Sequence, residues 1–117
     1  MNQLDKHRTS LPHHRLFAYK KSLELLAAVR SAQIRDAKLR DEALRAAKGT
    51  CLNIAEGAGR VLRGNKAQAY AIARSECVEA VAATEIAGEA GDAIAGAVAV
   101  VVALGNEVYL MLGGLIR

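Results

Sequence analysis

The stretch Asn53-Ile54-Ala55-Glu56-Gly57-Ala58-Gly59-Arg60 concentrates side chains capable of chemistry in this chain. Residues 53, 56 and 60 share one side of a helix, because i, i+3 and i+7 neighbours fall on one face. An amide, a carboxylate and a guanidinium so placed can bond one another, and a carboxylate beside a cation can have a tuned pKa. No nucleophile–base pair stands near them in sequence, so no catalytic residue is assigned and the chain is not read as an enzyme. The spacing predicts a structural polar network instead. Its members are Asn53, Glu56 and Arg60, with Glu79 of a later helix as the second carboxylate for Arg60 or Arg45. A buried network of this kind, fully paired, would fix one helix register. Gly57 and Gly59 then allow close helix approach or end the helix. They close a helix instead of opening one, which argues against a phosphate cradle.

Other reactive side chains carry less. His7, His13 and His14 lie in or beside an N-terminal arm without Cys or carboxylate partners at ligand spacing, so no metal and no cofactor is expected. Cys51 and Cys77 sit inside helical patterns with no CxxC spacing and read as reduced, buried, alanine-like residues of a cytoplasmic protein.

Charge is the stronger signal. Of the sixteen Lys and Arg residues, fifteen fall at or before Arg74, against six of the twelve acids; the first part is near +9 and the rest near −5. Parts of opposite sign suit packing between subunits, or a basic face offered to an acidic partner. Candidate phosphate-contacting residues are Arg15, Lys20, Lys21, Arg35, Lys38, Arg40, Arg45, Lys48, Arg63 and Lys66. An ordinary solvated helix face is the competing reading. Aromatic residues do not alternate with these cations, so any binding would be directed at the backbone and tolerant of sequence.

The elements that must position these groups follow from composition. The 117 residues suit one domain, rich in alanine and leucine, with one proline and no tryptophan, which predicts an all-α fold. Met1 to Pro12 reads as a flexible basic arm and residues 13–117 as a four-helix bundle. The first helix is expected from about His13 to Ala32, with Leu16, Tyr19, Leu23, Leu26 and Ala27 inward. Gln33 to Arg35 connect it to a second helix capped by Asp36, with Leu39, Ala43, Ala47, Cys51 or Thr50, Ile54 and Ala58 inward. Gly64-Asn65 is expected to separate the second helix from a third, about Lys66 to Ala90, burying Tyr70, Ala73, Cys77, Ala80 or Val81, Thr84 and Ala87. A fourth helix, about Ala93 to Leu112, is apolar nearly all round, as a helix buried on several sides must be. Its uncharged run, Ala93 to Asn106, is short of the roughly 20 residues of a membrane span. Short turns predict an up-down-up-down antiparallel bundle. An alanine-rich core buries little area per helix, which points to further burial between subunits.

The segment Leu39-Arg40-Asp41-Glu42-Ala43-Leu44-Arg45-Ala46-Ala47, the Asn53–Arg60 string, and Ile72-Ala73-Arg74 followed by Glu79-Ala80 together resemble a small bacterial four-helix-bundle family. Its founding members are encoded in intervening sequences of 23S ribosomal RNA genes. The resemblance covers about Arg15 to Arg117. Here Ser75-Glu76 stand where the family has Gly-Ser, and Gly49-Thr50-Cys51 where it often has Ser-Ile-Pro. The resemblance implies a ring-shaped homopentamer. Some relatives are accessory proteins of diversity-generating retroelements, basic pentamers that bind nucleic acid and a reverse transcriptase. It therefore implies a nucleic-acid-binding accessory protein, with RNA or DNA and a reverse transcriptase or other protein as partners; no membrane is expected, because the uncharged apolar run is short. A protein–protein interaction scaffold is the alternative.

Overall fold

The computed structural model describes residues 10–117. His7, Arg8 and most of the expected arm lie outside them. A 3-10 turn, Pro12–Arg15, leads into four helices: α1 Phe17–Ser31, α2 Ala37–Gly59, α3 Arg63–Glu89 and α4 Ala95–Ile116. The described residues are all-α. Each helix packs on two others, α1 on α2, α2 on α3, α3 on α4 and α4 back on α1, which makes a closed four-helix bundle. At one end the Arg35 amide donates to the Asp92 carbonyl (3.0 Å) and the Arg35 guanidinium to the Gly91 carbonyl, tying two loops together. Elsewhere the Arg63 guanidinium, at the start of α3, donates to the carbonyl of Arg117 beyond α4.

The helix limits have local causes. Asp36 caps α2 as expected, its Oδ2 accepting from the Leu39 amide at 2.9 Å. The α1–α2 connection is kept short by Gln33 in the left-handed region (φ 47°), with Ile34 buried behind it. The boundary between α2 and α3 differs from the expected one. α2 stops at Gly59, Arg60 is extended, and Gly64 and Asn65 already belong to the first turn of α3. Positive φ at glycine occurs among the described residues only at Gly91, so Gly64 does not supply the left-handed stop that was expected. The Lys66 ammonium does that work from the next helix, donating to the Gly57 and Ala58 carbonyls at 3.2 and 2.9 Å.

The centre of the bundle is built from small side chains. Ala43, Ala46 and Ala47 of α2 face Ala73, Ala80 and Ala87 of α3, all fully buried. Thr50 and Thr84 sit among them with their hydroxyls bonded to the Ala46 and Ala80 carbonyls of their own helices. A Cβ on Gly57 would come within 2.6 Å of the Tyr70 ring, and one on Gly105 would overlap Val81 Cγ2. Expected inward positions hold throughout α3. In α1 the stripe is shifted: Ala18, Ser22, Leu25 and Val29 are buried, while Leu23 and Ala27 are exposed. The shift is possible because Ser22 is small and satisfied. Its hydroxyl donates to the Tyr19 carbonyl and its carbonyl accepts from the Cys51 thiol at 3.2 Å.

α4 departs furthest from expectation. Of its 22 residues only Val101, Gly105, Val108, Leu112 and Gly113 are buried. Ile94, Val100 and Leu110 are exposed, Leu110 at 71%. By length and composition α4 is sufficient to cross a membrane, longer than its uncharged run suggested. It carries one charge, Glu107, paired at 3.3 Å with Lys21 of α1. An apolar face of this extent, left open by one copy of the chain, is unusual for a monomer.

Two outcomes test this packing. Gly105→Ala should lower unfolding stability by about 1–3 kcal/mol through overpacking, whereas Gly59→Ala, with nothing near its Cβ, should not destabilise; denaturant melts measure both. Both cysteines are free and buried, and burial pushes the Cys77 thiol up to about 11. Its neutral form therefore persists through neutral pH. Alkylation of native Cys77 should be slow at neutral pH and accelerate only as pH approaches that value, read by mass spectrometry.

Candidate nucleic-acid interface

The segment that concentrates polar groups does not form one network. The buried stripe of α2 runs through Thr50, Ile54 and Gly57, which leaves Glu56 and Arg60 on its solvent flank. Those two make an i,i+4 ion pair with side chains 51% and 42% exposed. Asn53 turns back on its own helix and donates to the Gly49 carbonyl at 2.9 Å. Glu79 meets Arg45, not Arg60. Arg45 spans Glu42 (2.8 Å) and Glu79 (2.6 Å), joining α2 to α3. Its guanidinium holds the Glu42 carboxyl below the usual carboxylate range, with a hydrogen bond involving Glu79 adding to the effect. The expected buried clasp is thus an exposed pair, a helix back-bond and an interhelical bridge.

The ten candidate cations also divide. Lys21 is taken by Glu24 and Glu107, and Arg45 by its two acids. Lys66 caps α2, and Arg63 is bonded to the Arg117 carbonyl. Arg15 is exposed, and Lys20 lies 5.6 Å over the Phe17 ring near the start of α1. There His13 meets Tyr19 edge-on at 4.6 Å, and His14 Nδ1 accepts from the Leu11 amide. Lys38 is exposed on the first turn of α2, close enough to Glu42 to act on its carboxyl.

The remaining three, Arg35, Arg40 and Lys48, meet along the α1–α2 seam. Two adjoining hollows there, of about 460 and 350 Å3, share Arg30 and Leu44. Their walls carry Arg30, Arg35, Arg40 and Lys48 over an apolar floor that includes Leu26, Val29 and Ile34, and no acidic residue lines either one. Arg35 is anchored on the Gly91 carbonyl, and Arg40 reaches the Ile34 carbonyl at 3.5 Å. A carbonyl orients a guanidinium without neutralising it. Arg40 also lies 4.0 Å from the exposed Asp41 carboxylate, a weak contact. The side chains of Arg30 and Lys48 have no hydrogen-bond or ion-pair partner among the described residues.

Arg30 is the residue that sequence reasoning missed. An α1 stripe drawn through Leu23 and Ala27 makes Arg30 look like the point where the helix leaves the core. The observed stripe through Leu25 and Val29 sets Arg30 on the flank beside α2. A row of cations over a groove with no acid in its lining can hold successive phosphates. No protein-family model matches the chain, and no curated protein matches it significantly in sequence.

The exposed pair gives a direct check on this geometry. Glu56→Ala should cost no more than about 0.5 kcal/mol, the scale of a surface i,i+4 pair, in a thermal or denaturant melt. A loss of several kcal/mol would restore the buried-network reading.

Proposed function

We propose that this protein is a cytoplasmic, non-catalytic accessory protein that binds RNA or DNA. In this reading the chain is an up-down-up-down antiparallel bundle that assembles as a ring-shaped homopentamer. The single observation that carries it is the α1–α2 groove, lined by Arg30, Arg35, Arg40 and Lys48 and by no acid. The tie between the α1–α2 and α3–α4 loops through Arg35 supports alternating helix direction. The uncovered apolar face of α4 supports assembly. The resemblance to the ribosomal intervening-sequence family and its retroelement relatives supports the ring and a reverse transcriptase as a further partner.

In such a complex Arg35 and Arg40 are held in place by carbonyls, so they lose little freedom on meeting a phosphate. Arg30 and Lys48 reach out and adapt. Contacts of this kind fix position without reading bases. A scaffold role, in which the apolar faces of α3 and α4 hold another protein, is the second reading; exposed Ile72, Val78 and Ile86 favour it.

Fluorescence anisotropy with labelled single-stranded and duplex oligonucleotides tests the first reading. Submicromolar binding is expected at about 50 mM salt, falling steeply by about 200 mM. The double substitution Arg30→Gln/Lys48→Gln should weaken binding about tenfold or more and lower the salt slope by roughly 1.4 to 1.8, for two lost phosphate contacts. No retention at the lower salt would sink the nucleic-acid reading. A protein partner recovered from the native host that survives nuclease treatment would favour the scaffold.

A further inference from the structure

The two ends of the bundle differ in charge and in what they leave exposed. The Ser22 carbonyl of α1 accepts from the Cys51 thiol, about two turns before the end of α2, and Arg63 of α3 is bonded to the Arg117 carbonyl. The Pro12–Arg15 turn, which packs on α1 and α2, therefore shares one end with the Arg60–Leu62 corner and the close of α4. Residues 10–20, 53–70 and 110–117 meet there. They hold six cations, Arg15, Lys20, Arg60, Arg63, Lys66 and Arg117, against one acid, Glu56. The connections at the opposite end, residues 31–41 and 86–96, hold three cations and four acids. Large apolar side chains stand out among the six cations. Val61 is 91% exposed, Phe17 73%, Leu62 65% and Leu11 56%. Val61 and Leu62 sit between two arginines in the run Arg60-Val61-Leu62-Arg63. Arg60 and Leu62 are both extended, so the pair forms the tip of the corner and folds onto neither helix.

We infer that this end docks on a lipid bilayer bearing anionic headgroups, as a surface contact and not a span. The occupant follows from the combination of groups. Nucleic acid would engage the cations through its phosphates but leave aliphatic Val61 and Leu62, which offer no ring to stack on a base, in water. A second copy presenting the same end would set like charges against each other. An anionic bilayer offers both chemistries in adjacent layers, phosphate and carboxylate at headgroup level and hydrocarbon beneath. Val61 and Leu62 pass the headgroups at the tip, and Phe17 rests at the boundary. Arg60 and Arg63 run their methylene stems beside the apolar pair and keep their guanidinium groups with the phosphates. Lys20, 5.6 Å over the Phe17 ring, does the same for that residue. Glu56, the lone acid of this end, is paired with Arg60 and so repels the surface little. The α1–α2 groove, from Lys48 to Arg35, lies toward the other end and stays open when the bilayer is engaged.

Co-sedimentation of the full chain with vesicles tests this, comparing phosphatidylcholine alone with phosphatidylcholine containing about 30% phosphatidylserine at about 100 mM salt. Partition into the anionic vesicles should exceed that into the neutral ones by about tenfold or more. Val61→Ser/Leu62→Ser and, separately, Arg60→Gln/Arg63→Gln should each lower it by about fivefold or more, with folding checked by circular dichroism. The chain has no tryptophan, so Val61→Trp places a lone reporter at the tip. Its emission should shift to the blue with anionic vesicles and be quenched by brominated acyl chains, which electrostatic adsorption alone would not produce. Absence of partition by the native chain, native-like partition by Val61→Ser/Leu62→Ser, or an unshifted tryptophan at saturating anionic vesicles would each overturn the proposal. Two further results would do so by assigning the end elsewhere: Arg60→Gln/Arg63→Gln losing oligonucleotide but not vesicle binding, or Val61→Ser/Leu62→Ser losing only self-association. The groove is tested through Arg30 and Lys48, so either reading can fail while the other stands.

Discussion

Close approach between helices is the constraint on which the rest of this molecule depends. Alanine, glycine and threonine fill the α2–α3 contact, and Gly57 and Gly105 admit Tyr70 and Val81 to distances that no larger residue would permit. Helices packed so tightly exchange dispersion contacts along their length, but each buries little side-chain area. Leu25, Ile54 and Leu112 fill the remaining core, and other large apolar residues lie outside it. Leu52, Ile72, Val78, Ile86, Val100 and Leu110 all lie on the surface of the single chain. A thin core and an apolar exterior are thus two results of one choice of residues.

The same geometry sorts the charges. Where two helices lie close, a long side chain cannot enter the seam and must run along it. Arg45 does so to join α2 to α3 through Glu79, and Lys21 does so to hold α4 through Glu107. The two hollows on the α1–α2 seam carry cations and no acid in their lining, Arg40 alone making a weak contact with Asp41 outside it. On the flanks of α3, Arg74 stacks on Tyr109 of α4 while Glu76 lies against Gly49 of α2, so the two opposite charges are held apart by the helix between them. The bundle thus has a basic groove on one side and exposed apolar residues on α3 and α4.

Much of this was legible in the residues themselves. The alternation of Tyr70, Ala73, Cys77, Ala80, Thr84 and Ala87 marks the inward face of α3, and Asp36 marks the start of α2. What escaped was decided by groups that pattern reading scores wrongly. Ser22 counts as polar, yet its hydroxyl is satisfied by Tyr19, so the α1 stripe moved one residue and Arg30 moved with it. The Asn53–Arg60 string shares a helix face but not a burial depth, because Gly57, not Glu56, is the residue turned to the core. The uniform hydropathy of α4 gave no sign of which side the bundle would cover. Periodicity carries no such information when every position is apolar.

Lys66 shows how a side chain can change its meaning with its address. By composition it is one more positive charge; by position it is a strut between two helices, holding the last carbonyls of α2 from the second turn's edge of α3. The corner it braces, Arg60 to Leu62, has no side-chain cap of its own on α3. Neutralising that ammonium, as acetylation does, would slacken the angle between the two most extensively packed helices of the bundle. A modification of charge would there be felt as a change of shape.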